Sequence, residues 1–332
     1  MSELLQNMLI SEMQGHFDGA RIEKKQMIQS LWSGYGEIRR YHIGDKPYVV
    51  KMVNPAQQQN HPRGWNTSLS HQRKLDSYQN ELLFYRHFAT HTNQYCRVPQ
   101  HIASGQLNEM SWLVMEDLDS LGFTYRCVDA PFPLIQKGLS WLANFHAQFL
   151  TLDTSSLWPI GTYWHLATRP DEYQKMADGP LKKQAVAIDA YINQCQFQTL
   201  LHGDAKLANF CFSADFSNLA AVDFQYVGRG VGIKDVVYFL GSCLDDDGLN
   251  IYADTLVDLY FQYLRQAIEG TNHNIDIDLL EQQWRQCYCF AWADFERFLI
   301  GWASTHVKMT EYSQQQTDQA LAIIAKLTKE QS

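Results

Sequence analysis

The segment of residues 199–226 constrains the fold of this chain more than any other. Two short apolar runs lie in it, and the loop after the first carries Asp204 and, five positions later, Asn209. The second run ends at Asp223, fourteen residues after Asn209. Short apolar runs bounded by turn residues are typical of buried strands. The pattern predicts a strand, a loop and a strand, with three oxygen-bearing side chains at the loop and strand end.

Such a set meets the needs of phosphoryl transfer from ATP. One carboxylate orients the acceptor hydroxyl and accepts its proton, while an amide or carboxylate oxygen and a second carboxylate hold Mg²⁺ against the phosphates. A competing interpretation is that the loop is merely a turn and that Asp223 caps a strand. We favour the first, because both halves of the set occur in order and at a workable spacing.

The same residues resemble a known family. Protein kinases carry His-Arg-Asp, an Asn five positions after that Asp, and then Asp-Phe-Gly. Here the loop begins His202-Gly203-Asp204. Gly in the place of Arg is similar to the aminoglycoside phosphotransferase and choline kinase-like family.

Further residues are similar to one branch of that family. The stretches 61–66 and 70–74 resemble bacterial members of the ecdysteroid-kinase-like branch, and the whole resemblance runs from about residue 28 to 300. It implies an α+β, two-lobed protein-kinase-like fold, with a small β-rich N-lobe containing one long helix and a larger, mainly helical C-lobe.

The resemblance also implies roles for individual residues. Asp204 corresponds to the catalytic base, and Asn209 and Asp223 correspond to Mg²⁺ ligands. Lys206 lies where protein kinases often place a catalytic lysine beside the transferring phosphate. Asp235 corresponds to a buried aspartate that braces the catalytic loop. A competing interpretation is that it caps the helix that begins there, and both roles could hold at once.

An apolar strand at residues 47–53 contains a candidate nucleotide-binding lysine. Strand alternation places Val49 and Lys51 on one face, with Val49 available to the adenine and Lys51 to the phosphates. Because an unpaired buried ammonium is costly, we expect an ion pair with Glu81 on the next helix. The alternative is an edge lysine and a solvated glutamate.

Two further segments complete the expected nucleotide site. The segment 113–118 resembles the hinge, where the carbonyl of Glu116 and the amide of Leu118 would bind adenine. Gly34 and Gly36 are candidates for a loop over the phosphates, where glycine lets backbone N–H groups approach oxygen. An ordinary hairpin turn explains these glycines nearly as well.

Secondary-structure patterns predict two domains, a nucleotide-binding lobe at 1–117 and a catalytic and substrate-binding lobe at 118–332. Strands are expected from Ile28 to Val53, at 101–106 and 111–115, and around the loop at 199–226. Helices are expected at 2–14, 70–91, 132–151, 171–196, 234–244, 250–268, 278–303 and 314–329.

Composition narrows the class of protein. The chain has 332 residues and a formal net charge of −9, without a clustered basic run, which disfavours nucleic-acid binding. No stretch approaches the roughly 20 apolar residues of a membrane span. Seven scattered Cys residues without CxxC spacing indicate reduced thiols and a cytoplasmic location. The oligomeric state is left open.

Three other patterns are more typical of structure than of function. The glycines at 228, 230 and 232 fail the dinucleotide fingerprint, because position 233 is Ile. His87 and His91 have zinc-ligand spacing, but the Glu of a metalloprotease is absent beside His87. Cys287 and Cys289 point to different faces of one aromatic helix. Aromatic residues at helical spacing are more often core than pocket, and this applies to the candidates for an acceptor pocket, which are Tyr163, Trp164, His165, Trp284, Trp292, Asp294 and Trp302.

These patterns predict a kinase that phosphorylates a hydroxyl of a small organic molecule, with ATP and Mg²⁺. A protein kinase would be expected to carry Arg at position 203 and an Ala-Pro-Glu sequence, which is missing from 224–245. A catalytically silent nucleotide-binding or scaffold protein of the same fold is the alternative from a different class.

Overall fold

A computed structural model of the chain describes residues 3–31, 34–55, 68–127, 129–271 and 274–330. The strands are β1 Ile22–Ser30, β2 Gly36–Ile43, β3 Lys46–Val53, β4 His101–Leu107, β5 Met110–Glu116, β6 Thr199–Leu201, β7 Phe210–Phe212, β8 Leu219–Ala221 and β9 Gly228–Gly230. The helices are α1 Glu3–Gly15, α2 Ser68–Leu83, α3 Phe132–Gln148, α4 Pro170–Lys175, α5 Pro180–Asn193, α6 Ile233–Cys243, α7 Asp246–Glu269, α8 Ile277–Gln286, α9 Tyr288–Ala303 and α10 Glu311–Glu330. No helix of the described residues is both long enough and apolar enough to span a bilayer.

The chain forms two compact units. One consists of Met1–Thr90, Val98–Tyr125 and Phe212–Ala220, and the other of His91–Arg97, Arg126–Cys211 and Ala221–Ser332. The division into functional domains at 117 and 118 stays a prediction.

The first unit is built on a five-stranded antiparallel sheet with strand order β1-β2-β3-β5-β4. Strand β3 shows how the sequence pattern builds both faces. Val50 and Met52 lie in a buried cluster with Leu9 of α1, whereas Val53 packs in a second cluster with Tyr78 of α2. The side of β3 that carries Lys51 and Val53 is therefore the side covered by α2.

The second unit is mainly helical. Helix α3 packs along α7, and α9 packs against its neighbours α4, α5, α6 and α10. Every residue of α9 from 289 to 299 is buried. A helix that is buried all round lies in the interior of its unit, which explains the concentration of aromatic residues in α9.

These two units confirm the predicted fold class, a β-rich N-terminal part with one long helix and a mainly helical remainder. Several predicted bounds were wrong. Strand β1 begins at Ile22, six residues before the predicted Ile28. The helix predicted at 171–196 is two helices, because Gly179 is extended and Pro180, which cannot donate a helical hydrogen bond, begins α5. The helix predicted at 278–303 is likewise divided at Cys287.

Candidate active site

The loop after β6 depends on a glycine between its histidine and its aspartate. Gly203 has φ +79°, and a Cβ atom there would lie 2.0 Å from the carbonyl oxygen of Tyr226. Only glycine adopts this conformation without strain and leaves room for the neighbouring backbone. Gly203 therefore lets the chain turn sharply into Asp204.

Asp235, in the first turn of α6, stabilises the sharp turn at Gly203. Its carboxylate accepts hydrogen bonds from the backbone N–H of His202 at 2.6 Å and of Gly203 at 3.0 Å. Its Oδ2 also lies 3.2 Å from Nε2 of His146. The predicted bracing is confirmed, whereas the capping alternative was wrong, because Gly232 occupies the N-cap position of α6.

The two carboxylate oxygens of Asp204 have different surroundings. Oδ2 accepts hydrogen bonds from Nζ of Lys206 at 2.9 Å and from Nδ2 of Asn209 at 3.0 Å. Oδ1 is buried and makes no hydrogen bond of good geometry within the described residues, although the phenol of Tyr238 lies beside the same carboxylate. A buried oxygen normally has a partner, so Oδ1 is a vacant acceptor on a carboxylate that is otherwise held in place.

The second carboxylate lies next to this loop. The N–H of Val222 donates to the carbonyl of Asn209 at 2.9 Å, and the Val222 carbonyl lies 3.1 Å from Nε2 of His202. Asp223 follows directly, with φ +71° and with a carboxylate that accepts from Nε2 of Gln225 at 2.6 Å. The structure thus brings Asp223 beside Asp204 and Asn209.

Two pKa shifts agree with this arrangement. Burial lowers the pKa of Lys206, but the carboxylates of Asp204 and Asp223 raise it by more, so that the lysine stays charged. Burial also lowers the pKa of His202. The neutral imidazole can donate from Nε2 to Val222 and accept at Nδ1 from the N–H of Asp204, 3.3 Å away.

The lysine of β3 has the partner that the sequence predicted. Nζ of Lys51 lies 2.5 Å from Oε2 of Glu81, and both residues are buried. The Lys51 ammonium also lies 5.5 Å from the ring centroid of Tyr78. The ion pair is confirmed, and Val49 shares its face of the strand through the alternation of β3.

The predicted hinge follows β5 in the same unit. Glu116 ends β5, and its backbone N–H donates to the carbonyl of Gln100 at 3.0 Å. Leu118 is buried, and the intervening Asp117 carboxylate accepts from the guanidinium of Arg40 on β2. Arg40 was missed at the sequence level, because nothing in its local pattern shows that β2 lies two strands from β5.

The two glycines after β1 have local structural explanations. Gly34 has φ +72°, and its N–H donates to the carbonyl of Leu31 at 3.2 Å, which is turn geometry. At Gly36, with φ +148°, a Cβ atom would lie 1.9 Å from the carbonyl oxygen of Met52 on β3. The hairpin-turn alternative accounts for both glycines, and their contact with phosphate stays a prediction.

Most candidates for the acceptor pocket are core residues. Trp164, Trp284 and Trp292 are fully buried. Asp294 is ion-paired with Lys234 at 3.0 Å and with Arg297 at 2.7 Å, which neutralises its charge within the helical interior. His165 is buried as well, whereas Tyr163 and Trp302 are partly exposed.

His146 is a further residue that sequence patterns did not single out. It lies in apolar α3, and its Nδ1 is 2.8 Å from the Tyr260 hydroxyl while its Nε2 faces Asp235. Its carbonyl accepts from the hydroxyl of Thr199 at the start of β6. A polar side chain in an otherwise apolar helix was the available signal, but the partners come from distant parts of the chain.

The fold and the loop define a class of protein. A protein from Ralstonia eutropha JMP134 that has been assigned as an aminoglycoside phosphotransferase has a similar structure. The TM-score is 0.53, with 13% identity over 96% of this chain and 95% of that one. A thermostable mutant of aminoglycoside phosphotransferase APH(4)-Ia matches with a TM-score of 0.50 and 12% identity over 95% and 99%. The chain has the protein-kinase-like fold of these proteins.

A family model agrees with the structural likeness. The model of the ecdysteroid kinase-like family matches residues 163–273, a range that contains the whole loop and Asp235. The predicted resemblance to the aminoglycoside phosphotransferase and choline kinase-like family, in its ecdysteroid-kinase-like branch, is therefore confirmed. Among curated proteins, none matches the sequence.

Proposed function

We propose that this protein is a kinase that transfers the γ-phosphoryl group of ATP to a hydroxyl of a small organic acceptor. The observation that carries the proposal is the state of Asp204, with one oxygen fixed by Lys206 and Asn209 and the other buried and vacant. The likeness to aminoglycoside phosphotransferases and the ecdysteroid kinase-like match support the same class of reaction.

Asp204 acts on the acceptor. The acceptor hydroxyl donates its hydrogen bond to the vacant Oδ1, which aims the hydroxyl oxygen at the γ-phosphorus. Oδ1 receives the proton as the new O–P bond forms and the bond from the γ-phosphorus to the bridging oxygen breaks, which releases ADP. Lys206 holds the opposite oxygen, 2.9 Å away, and so fixes the rotation of the carboxylate. Its charge lies beside the base, where it stabilises negative charge on the transferring group.

Asn209 and Asp223 are suited to hold Mg²⁺. The amide nitrogen of Asn209 donates to Asp204, which leaves its Oδ1 for a cation, and Asp223 brings a partly buried carboxylate to the same loop. Mg²⁺ in such enzymes binds one or two protein oxygens together with phosphate oxygens and neutralises the phosphate charge. One amide oxygen and one carboxylate fit this pattern.

The nucleotide is assigned to residues of the β-rich unit. Lys51, fixed by Glu81, would contact the phosphates, and Val49 would pack on the adenine. The carbonyl of Glu116 and the amide of Leu118 would bind the adenine edge. In this proposal residues 1–117 bind nucleotide, residues 118–332 carry out catalysis and bind the acceptor, and the enzyme works in the cytoplasm without a nucleic-acid partner.

Replacement of the base tests the proposal. We expect Asp204→Asn to lower ATP turnover with a panel of hydroxylated metabolites by about a hundredfold or more, because the amide cannot accept the proton. Nucleotide affinity, measured by calorimetry, should stay within about twofold. Asp215→Asn, which removes a carboxylate from an exposed turn, is the matched control and should retain full turnover.

A silent nucleotide-binding protein of the same fold is the competing function. It predicts that ATP binds but that no acceptor in the panel is phosphorylated. Full turnover in Asp204→Asn would contradict the assignment of the base, and saturable ATP binding without any transfer would favour the silent protein.

A further inference from the structure

Lys308 lies in the short segment between α9 and α10. The segment is held by hydrogen bonds from the N–H of His306 to the Ala303 carbonyl and from the N–H of Met309 to the His306 carbonyl, both 2.9 Å. The half-buried Lys308 side chain places its ammonium 4.2 Å from the ring centroid of Tyr238 and 5.9 Å from that of Phe295. The turn and the cation–π contact together restrict the position of this ammonium group, which is therefore not a freely moving surface charge.

Tyr238 connects this cation to the base. Burial raises the pKa of Tyr238 well above its ordinary value, and the charge of Asp204 and the phenol of Tyr163 raise it further. The rings of Tyr163 and Tyr238 are 5.6 Å apart. Both phenols therefore remain protonated, and Tyr238 is next to both the base and the ammonium of Lys308.

The charges around the base do not balance. Lys206 already occupies Oδ2 of Asp204. Burial lowers the pKa of Lys308 to about 8; Asp204 opposes this shift and Lys206 adds to it. Lys308 is thus mainly charged at neutral pH, and it makes no ion pair within the part of the chain that the structure describes. With Asp223 assigned to the metal, Asp204 is the one carboxylate whose charge acts on both ammonium groups, by direct contact with Lys206 and at longer range with Lys308.

A partly buried cation without an ionic partner is costly, and a ligand anion would remove that cost. An acceptor that carries an ammonium group would instead be repelled by both lysines. We propose that Lys308 is a specificity-determining residue that binds a carboxylate of the acceptor, so that the acceptor is a hydroxylated carboxylic acid. The inference rests on the proposed phosphotransferase function, and it narrows the acceptor class of the same site.

The test measures binding of alcohols matched in size but different in charge. The first set is glycolate, ethylene glycol and ethanolamine, and the second is para-hydroxymethylbenzoate, para-benzenedimethanol and para-aminomethylbenzyl alcohol. Dissociation constants are measured by ligand-observed NMR with the full chain in the presence of Mg²⁺ and ADP. We expect at least one carboxylate to bind about tenfold more tightly than its neutral partner, as one charge-assisted contact allows, and the ammonium compounds to bind most weakly.

Variants assign the preference to one side chain. Lys308→Met should remove the preference for the carboxylate and leave the affinity of the neutral alcohol unchanged, whereas Lys308→Arg should retain most of it. Lys326→Met, which removes an exposed lysine from α10, is the control and should behave as the unmodified protein. An equal loss of neutral and carboxylate binding in Lys308→Met would assign Lys308 to packing and overturn the proposal.

The outcomes separate this inference from the proposed function. If neutral or cationic alcohols bind as tightly as the carboxylates, or if no carboxylate binds, the inference is wrong, while ATP turnover with another acceptor would leave the kinase function standing. If carboxylates bind through Lys308 but no transfer from ATP occurs, the kinase function is wrong and the anion site stands.

Discussion

Glu296 shows how burial changes the chemistry of a single side chain in this protein. It lies in α9, is 3% exposed, and accepts a hydrogen bond from the hydroxyl of Thr317 at 3.1 Å. Burial raises the pKa of Glu296, and hydrogen bonds from Ser313 and Thr317 offset only part of that rise. The folded protein therefore binds the proton of the Glu296 carboxyl more tightly than the unfolded chain does. Protonated Glu296 contributes its full stabilisation below the unfolded pKa, and this contribution is lost as pH rises through the folded pKa.

The variant Glu296→Gln should therefore change the pH dependence of stability. We expect its free energy of unfolding to rise relative to the unmodified protein as pH increases from about 4.5, since the neutral amide does not ionise. Each pKa unit between the folded and unfolded states corresponds to about 1.4 kcal/mol. Urea unfolding between pH 4.5 and 8 measures the difference.

Glu269→Gln, at the exposed end of α7, is the matched control and should give a constant offset across the same pH range. The explanation would be wrong if Glu296→Gln also gave a constant offset.

The junction of β6 and α6 determines the geometry of the loop at the scale of elements. Asp235 in α6 joins the backbone of residues 202 and 203 to His146 of α3, so that one carboxylate connects a strand end to two helices. All of these groups are buried. Loss of the charge should therefore disturb the loop as well as the stability of the unit.

We expect Asp235→Asn to destabilise the protein by about 1.5–3 kcal/mol, because the amide nitrogen cannot accept a backbone N–H. Turnover should fall through kcat more than through the KM for ATP, since the base is displaced while the nucleotide contacts remain. Urea unfolding and steady-state kinetics measure the two effects.

The matched control is Asp247→Asn in the exposed first turn of α7, and we expect it to change stability by less than about 0.5 kcal/mol. Equal effects of the two substitutions on stability and on kcat would contradict a bracing role for Asp235.

At the scale of the whole molecule, a ligand that binds only the native protein raises its stability by mass action. We expect ATP with Mg²⁺ at a hundredfold excess over its Kd to stabilise the protein by about 2.7 kcal/mol. Asp223→Asn should reduce the Mg²⁺-dependent part of this stabilisation and leave the effect of ATP without Mg²⁺ unchanged. Chemical unfolding at fixed nucleotide concentration measures both.

The exposed Asp278→Asn variant of α8 is the control for a carboxylate lost away from the site. Absence of any stabilisation by ATP would contradict nucleotide binding altogether, whereas an equal loss in both variants would remove Asp223 from the metal site.

The sequence alone predicted the features that depend on short spacings. Asp204, Asn209 and Asp223 could be recognised because one loop and the following strand hold all three, and strand alternation placed Lys51 on the face that Glu81 approaches. Short-range patterns also gave a wrong prediction. The periodicity of residues 171–196 predicted one helix, whereas Gly179 and Pro180 divide this segment into two.

Tertiary structure alone decided which of these groups has partners and which side chains are buried. Two contacts join residues that lie far apart in sequence: Arg40 pairs with Asp117, and Lys308 lies over Tyr238. The vacant oxygen of Asp204 depends in the same way on the packing around it. The helical spacing of aromatic residues does not distinguish a ligand pocket from a core. The burial of α9 on all sides from 289 to 299 assigns the aromatic residues of that range to the core. The physical reason is that spacing determines the face of an element on which a residue lies, whereas packing determines what that face meets.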